Sequence, residues 1–396
     1  MRKQNKTKLS YFAAIVLSII KTAIVLFSLL LLLTLITAFF VIVADTRYKS
    51  DRFDFKKLDD GSYMITSIDV QKTGNRIAIP STYKGKAVTV IGRNAISLFA
   101  KGLESIEEII IPDSVKLIES RAFQNCQNLK KVSIGGGVET IEEGAFAESY
   151  IKTLSLDPNN IHFELLNGCL CQNGNLVIGL DDATVPEGIN RICAYAFSGQ
   201  LIKSVRVPQT CSEIGNGAFS KCSVLEEIEL PDGLHTIGAK AFYYCTKLQK
   251  IVLPDSLTEI GNVCLYGTGI KEIIVPGTEK NIPLAAFMEC VNLERVVLLQ
   301  GVEGISYLAF CRCIRLKELE IPSSVTVIVD CAVFATKELT LRYEGDSIPE
   351  GWEENWLAFD RYWFDDPSEY IEVDSVKLIL RDGAEITLYP PSQQTR

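Results

Sequence analysis

Two histidines, His162 and His235, are all this 396-residue chain offers, so catalysis that relies on an imidazole beside a nucleophile has almost no material. No Gly-rich phosphate cradle is present either; Gly135-Gly136-Gly137 falls in a turn. The only close cysteine pairs are Cys169-x-Cys171 and Cys311-x-Cys313, tighter than the Cys-x₂₋₄-Cys spacing of zinc sites and short of further ligands. No metal or cofactor is implied. Basic charge is scarce as well. The formal charge is -9, and residues 1–44 hold five Lys or Arg and no acid, which leaves 35 basic against 49 acidic residues in the remainder. A body of about -14 without a basic stripe argues against nucleic acid as a partner. Pro-, Ser- or Gly-rich linkers are missing too, so one long domain with an appendage is expected.

The appendage is apolar. From Tyr11 to Ala44 only Lys21 and a few hydroxyls interrupt the run, and Thr22 to Ala44 alone is 23 residues, enough for a helix to span the hydrocarbon layer of a membrane. A cleaved signal peptide ending near Ile42–Ala44 is the alternative, but its apolar core would be shorter. A single-pass signal-anchor is the favoured reading. Arg2, Lys3, Lys6 and Lys8 precede the run and Arg47, Lys49, Arg52, Lys56 and Lys57 follow it, so flanking charge leaves the orientation open.

After residue 96 a short phrase recurs: apolar-x-x-apolar-x-apolar-Pro, a turn, apolar-x-x-Ile-Gly, then Ala-Phe and often Cys. Its proline falls at Pro112, Pro186, Pro208, Pro231, Pro254, Pro276 and Pro322, with Gly135, Asp157 and Leu299 as substitutes, at intervals of 22 or 23 residues except once. Phe123, Phe146, Phe197, Phe219, Phe242, Phe287 and Phe310 keep the same beat. Such a period predicts a solenoid, whose units bury their apolar face only by stacking. The exception lies between Asp157 and Pro186, where Asn173-Gly174 between apolar runs predicts a hairpin protruding from one coil. Cys126, Cys222, Cys245, Cys290 and Cys313 sit four residues after the Ala of Ala-Phe, which reads as a small residue filling an inner corner.

The phrases IPDSVKLIESRAFQNCQNLKKV, VPEGINRICAYAF and IPSSVTVI resemble the BspA-like class of leucine-rich repeat, named for bacterial surface antigens. The resemblance covers roughly residues 59–364. It implies a curved solenoid with parallel strands on one side and roles in surface attachment or host interaction. With the apolar run added, the expected organisation is a cytoplasmic tail at 1–10, a transmembrane segment at 11–44 and a juxtamembrane linker at 45–58. A β-rich cap at 59–96 follows, then the solenoid at 97–342 with its hairpin insertion at about 158–184. A Trp-rich cap at 343–364 and a β-hairpin tail at 365–396 close the chain.

Period-two alternation turns the third and fifth positions of each LxxIxL unit outward. The third positions include Lys250, Glu272 and Arg295, of alternating sign, which suits a register-holding ladder. The fifth positions bring three β-branched residues into succession, Val252, Ile274 and Val297. They suit a strand in any case, but apolar surface rimmed by charge also marks a protein contact. Trp352, Trp356 and Trp363 cluster where the repeat fades; they read chiefly as the seal of the open end, and otherwise as a stacking platform. The function expected is a membrane-anchored, extracytoplasmic surface module that binds an envelope or extracellular protein without catalysis. A scaffold of the envelope with no dedicated ligand is the alternative; a hydrolase using surface carboxylates is disfavoured because the acids are scattered.

Overall fold

A computed structural model describes residues 52–334, 338–353, 356–358 and 376–388. The chain divides into two compact units, Met1–Asp54 and Phe55–Arg396; the described part of the second is a stack of short coils built almost wholly from strands and turns. One expectation needs correction. Among the described residues no helix is long and apolar enough to cross a membrane, and the run at 11–44 lies outside them. Over the described residues the fold class is a leucine-rich β-solenoid, and the transmembrane helix assigned from hydropathy is not among its elements.

Each coil has three sides. The LxxIxL phrase forms a strand of three or four residues, such as Glu272–Val275, Arg295–Leu298 and Glu318–Ile321, paired in parallel with its neighbours. The Ile-Gly phrase forms a second, two-residue strand, as at Glu213–Ile214, Thr236–Ile237 and Glu259–Ile260, also parallel and in register. Strands therefore line two sides rather than the one expected. The second column escapes a sequence reading because a two-residue strand shows only one buried residue, too little to display alternation. Glycine follows the Ile at Gly92, Gly215, Gly238 and Gly261, and there the coils meet closely: a Cβ on Gly261 would stand 2.1 Å from the Ala239 nitrogen of the preceding coil.

The third side is the Ala-Phe turn. The Phe242 amide donates to the Cys264 carbonyl, and Phe219 to Ala241, so each turn is bonded to the next coil. All the marker phenylalanines are buried. Their rings stack at 5.1 Å for Phe197–Phe219, 5.5 Å for Phe219–Phe242 and 5.2 Å for Phe287–Phe310, with Leu265 buried between Phe242 and Phe287. Parallel offset rings at this separation contribute beyond the area they bury.

Beside the rings the recurring cysteine does more than fill a corner. Cys222, Cys245, Cys290 and Cys313 each donate a thiol hydrogen bond, at 3.0–3.2 Å, to the carbonyl of the marker residue one coil earlier: Phe197, Phe219, Leu265 and Phe287. Ser149 takes the same place and donates to Phe123 O at 2.7 Å. At Phe197, Phe219, Leu265 and Phe287 the carbonyl also accepts from the amide three residues on in its own turn, so the thiol adds a second bond, one that ties neighbouring coils together. These thiols are unbridged.

The insertion does not protrude as a free hairpin. Glu164–Leu166, Cys169–Gln172 and Asn175–Gly179 form an antiparallel meander joined by two tight turns, Asn167-Gly168 and Asn173-Gly174, with positive φ at all four residues. That is the backbone of type I′ turns, for which Asn-Gly is suited. Its last strand pairs in parallel with Arg191–Ile192 and so enters the second strand column. Cys169, Leu170, Cys171 and Leu176 are buried, which is why the segment threads into the stack. At the far end Val376–Ile379 extends the first column beside Thr340–Tyr343, and Glu385–Leu388 folds back on it antiparallel.

Phe242→Ala removes a ring held on both sides of the stack and should destabilise the unit by about 3–5 kcal/mol in urea unfolding; a loss below about 1 kcal/mol would mean that the ring is not a core element. Burial pushes the Cys126 thiol up to about 12 and that of Cys290 up to about 11, from 9.0. The folded state thus keeps these protons longer than the unfolded chain, so their contribution is complete below pH 9 and should be lost as pH rises toward 11–12. A Cys290→Ser variant, followed by thermal melts across that range, should show a shallower alkaline decline than the parent.

Candidate functional site: the outer faces of the solenoid

Because the interior is filled by side chains, any work must fall on the outer faces. On the first strand column, Arg295 is the centre of the charge ladder. Its guanidinium pairs with Glu272 one coil before, with Glu318 one coil after at 3.2 Å and with Glu320 at 2.6 Å. Arg342 extends the ladder to Glu318 at 2.9 Å, and the Arg342 guanidinium is the main reason the Glu318 carboxyl is held below its usual range. The same arrangement appears at the other end of the column, where Arg76 and Lys131 flank Glu108 at 2.8 and 3.3 Å. Pairs 23 residues apart repeat off the strands as well, in Glu107–Lys130, Lys116–Glu139 and Lys280–Glu303. Glu272 and Arg295 thus face each other across one coil step and hold register; Lys250 is exposed at the start of the preceding coil.

The apolar residues stand differently. Ile274 and Val297 are direct partners across neighbouring strands, and Ile274 is 49% exposed while Val297 is partly covered. Val252, at 66%, is more exposed than either. It lies where the column is interrupted: the Ser204–Arg206 and Glu227–Glu229 strands form one small sheet and the next begins at Glu272, with one bridge, Glu227 to Lys250, reaching the intervening coil. The three residues therefore form a short apolar row running off an incompletely bonded coil edge.

Trp352 and Trp356 are buried. They meet edge to face at 5.1 Å, and Trp352 lies 4.9 Å from the Tyr343 ring with its indole N–H donating to Val325 O at 3.4 Å. Those two rings are part of the core end and offer no open stacking surface; Trp363 lies outside the described residues.

The turn side carries a second surface that the sequence reading passed over. Tyr243, Tyr244 and Tyr266 form a triangle with centroids 4.6–5.3 Å apart. Tyr244 donates to Glu289 at 3.1 Å, and Glu289 in turn pairs with Arg312 at 3.0 Å. Burial, reinforced by Glu289 and Tyr244, pushes the Tyr266 phenol up. Tyr266 and Val263 pack against a small outer cluster of Ala285, Met288, Leu308 and Cys311, separate from the main core. The signal was available: the residue after the marker Phe or Leu reads Ser220, Tyr243, Tyr266, Met288, Cys311 in successive coils, a column that turns apolar midway. Among the described residues no group of three or more His, Cys, Asp or Glu is placed to hold a metal ion.

A model of the BspA type leucine rich repeat region matches the chain in six copies, over residues 89–226 and 212–340. Among curated proteins none matches. Solved structures similar to this chain include a leucine-rich cell surface protein of Faecalibacterium prausnitzii, at 22% identity over 74% of this chain and 94% of that one, with a TM-score of 0.40. The pneumococcal vaccine antigen PcpA is 17% identical over 74% and 92% of the two chains, TM-score 0.45. A leucine-rich repeat protein of Eubacterium ventriosum is 17% identical over 87% and 96%, TM-score 0.44. At such identities and scores the assignment rests on the family model.

Replacing Arg295 with Met removes the common partner of three carboxylates and leaves Glu272, Glu318 and Glu320 stacked with like charge. Because these groups are largely exposed, the loss should be about 1 kcal/mol or less, and it should shrink in 1 M salt as repulsion is screened. A loss indifferent to salt would show that Arg295 acts by packing instead.

Proposed function

We propose that this chain, which belongs to the BspA-type leucine-rich repeat family, is a non-catalytic surface module whose solenoid binds another protein of the envelope or the exterior. The reading is supported by family membership and by one observation above all, the apolar row of exposed Val252 and Ile274 and half-covered Val297 beside an incompletely bonded coil. A strand face usually presents polar residues to water; three β-branched side chains in adjacent coils, flanked by Lys250 and the Glu272–Arg295 pair, combine an apolar centre with a charged rim. Such a row is small, so affinity would come from a few central side chains and not from area.

The competing reading, a scaffold without a dedicated ligand, draws on a specific observation too: the ladder charges pair within the molecule along both ends of the column. A face whose charges all serve register would suit a spacer. The apolar row is what a spacer does not need.

The test compares the full chain with its Val252→Ser/Ile274→Ser/Val297→Ser variant in capture of partners from envelope fractions, with circular dichroism as a check on folding. Loss of two or three central contacts should weaken capture of a specific protein by about tenfold or more. Undiminished capture by a folded variant would remove the strand face from the function. Labelling of intact cells with an impermeant reagent tests the surface location independently; failure to label residues of the solenoid would exclude it.

A further inference from the structure

The described stack has a seam where the insertion enters. The inserted meander supplies a second-column strand but no Ala-Phe turn, so on the turn side the coil of Phe146 meets that of Phe197 without the usual link. The Ala196 carbonyl, which by the rule of the other coils would receive the preceding Phe amide, accepts from Gly179 N instead. The continuous apolar core runs from Cys169 to Leu380, and Phe146 is not part of it. Outside, the seam is strapped: Asp181 accepts from Tyr150 Oη at 2.5 Å and from Leu201 N at 2.6 Å, Arg191 bridges Glu143 and Glu213, and Lys221 pairs with Glu148 at 2.7 Å.

Inside the seam lies a cavity of about 20 Å³ lined by Phe146, Val177, Ile178, Tyr195, Ser198 and Gln200, among others. Ser198 and Gln200 are 3% and 2% exposed, and neither Ser198 Oγ nor Gln200 Oε1 has a hydrogen-bond partner in the protein. Gln200 occupies, four residues after Ala196, the place that elsewhere holds the Cys or Ser donor to the preceding coil's Phe carbonyl. Here the preceding coil is set off by the insertion, and the longer amide replaces the thiol without gaining its bond.

We infer that this cavity is a binding site for a single internal water molecule, held between Ser198 Oγ and Gln200 Oε1. Two buried polar atoms on residues that line one space need a partner, and a space of about 20 Å³ suffices for a water, which needs roughly 10–15 Å³. A water can donate to the amide oxygen while exchanging a hydrogen bond with the hydroxyl.

High-resolution diffraction from the full chain is the direct test. An ordered water within about 3.2 Å of both atoms is the result expected. A site without density, a cation at metal–oxygen distance, or a Gln200 amide turned onto a protein carbonyl each overturns the inference. In solution, Gln200→Met alone displaces the water and leaves the Ser198 hydroxyl facing an apolar filling, so its melting temperature should fall below the parent's. The Gln200→Met/Ser198→Ala pair removes both polar groups and should regain most of that loss. A single variant that melts like the parent, or a pair that loses more than the single, contradicts the proposal.

Discussion

Everything outside the coils depends on the inner spine, in which, on either side of the seam, a buried Phe or Leu of one turn lies against that of the next while the turn amide bonds to the following carbonyl. A repeat of 22 or 23 residues is too short to enclose a core; it becomes stable only when neighbours cover both of its open faces. The spine sets the coil spacing, and that spacing in turn aligns the strand columns, the charge ladder and the row of thiols. Charge pairs and thiol bonds then refine a register that burial has already selected. Their individual contributions are small beside the burial of an aromatic ring.

The same constraint explains where irregularity is tolerated. The meander between Asp157 and Pro186 opens a new stretch of the second strand column through Asn175–Gly179 and Arg191–Ile192, while Thr140–Ile141 and Thr153–Leu156 end their sheets before it and a turn is given up. The seam therefore crosses the strand columns as well as the turn side, and the straps of Asp181, Arg191 and Lys221 gather around it. The first strand column has its own interruption at the coil of Lys250 to Leu253, and there the exposed Val252 stands. Both departures leave the inner spine of that region buried.

Much of this was legible in the sequence because the repeat states its own period. Pro and Phe markers in step fix the coil length, and the alternation of LxxIxL separates buried Ile273 from exposed Ile274. What was not legible depends on meetings between coils. The two-residue strands at Thr236–Ile237 and its neighbours exist only as pairings. The donor role of Cys245 requires knowing that Phe219 O lies within 3.0 Å. The meander looked detachable because Asn173-Gly174 announced a hairpin while Asn167-Gly168, which returns the chain to the stack, went unread. The tyrosine triangle lies on a position after the marker that no strand pattern draws attention to. The apolar run before residue 45, clear as hydropathy, lies outside the described residues.

Native-state hydrogen exchange measures the central claim most directly. If the turns form one shared spine, the amides of Phe219 and Phe242, bonded to the next coil at 2.8 Å, should be among the slowest to exchange and should open together with the global unfolding of the stack. Exchange of these amides as fast as that of the exposed strand Glu164–Leu166, or independently in each coil under native conditions, would contradict the account.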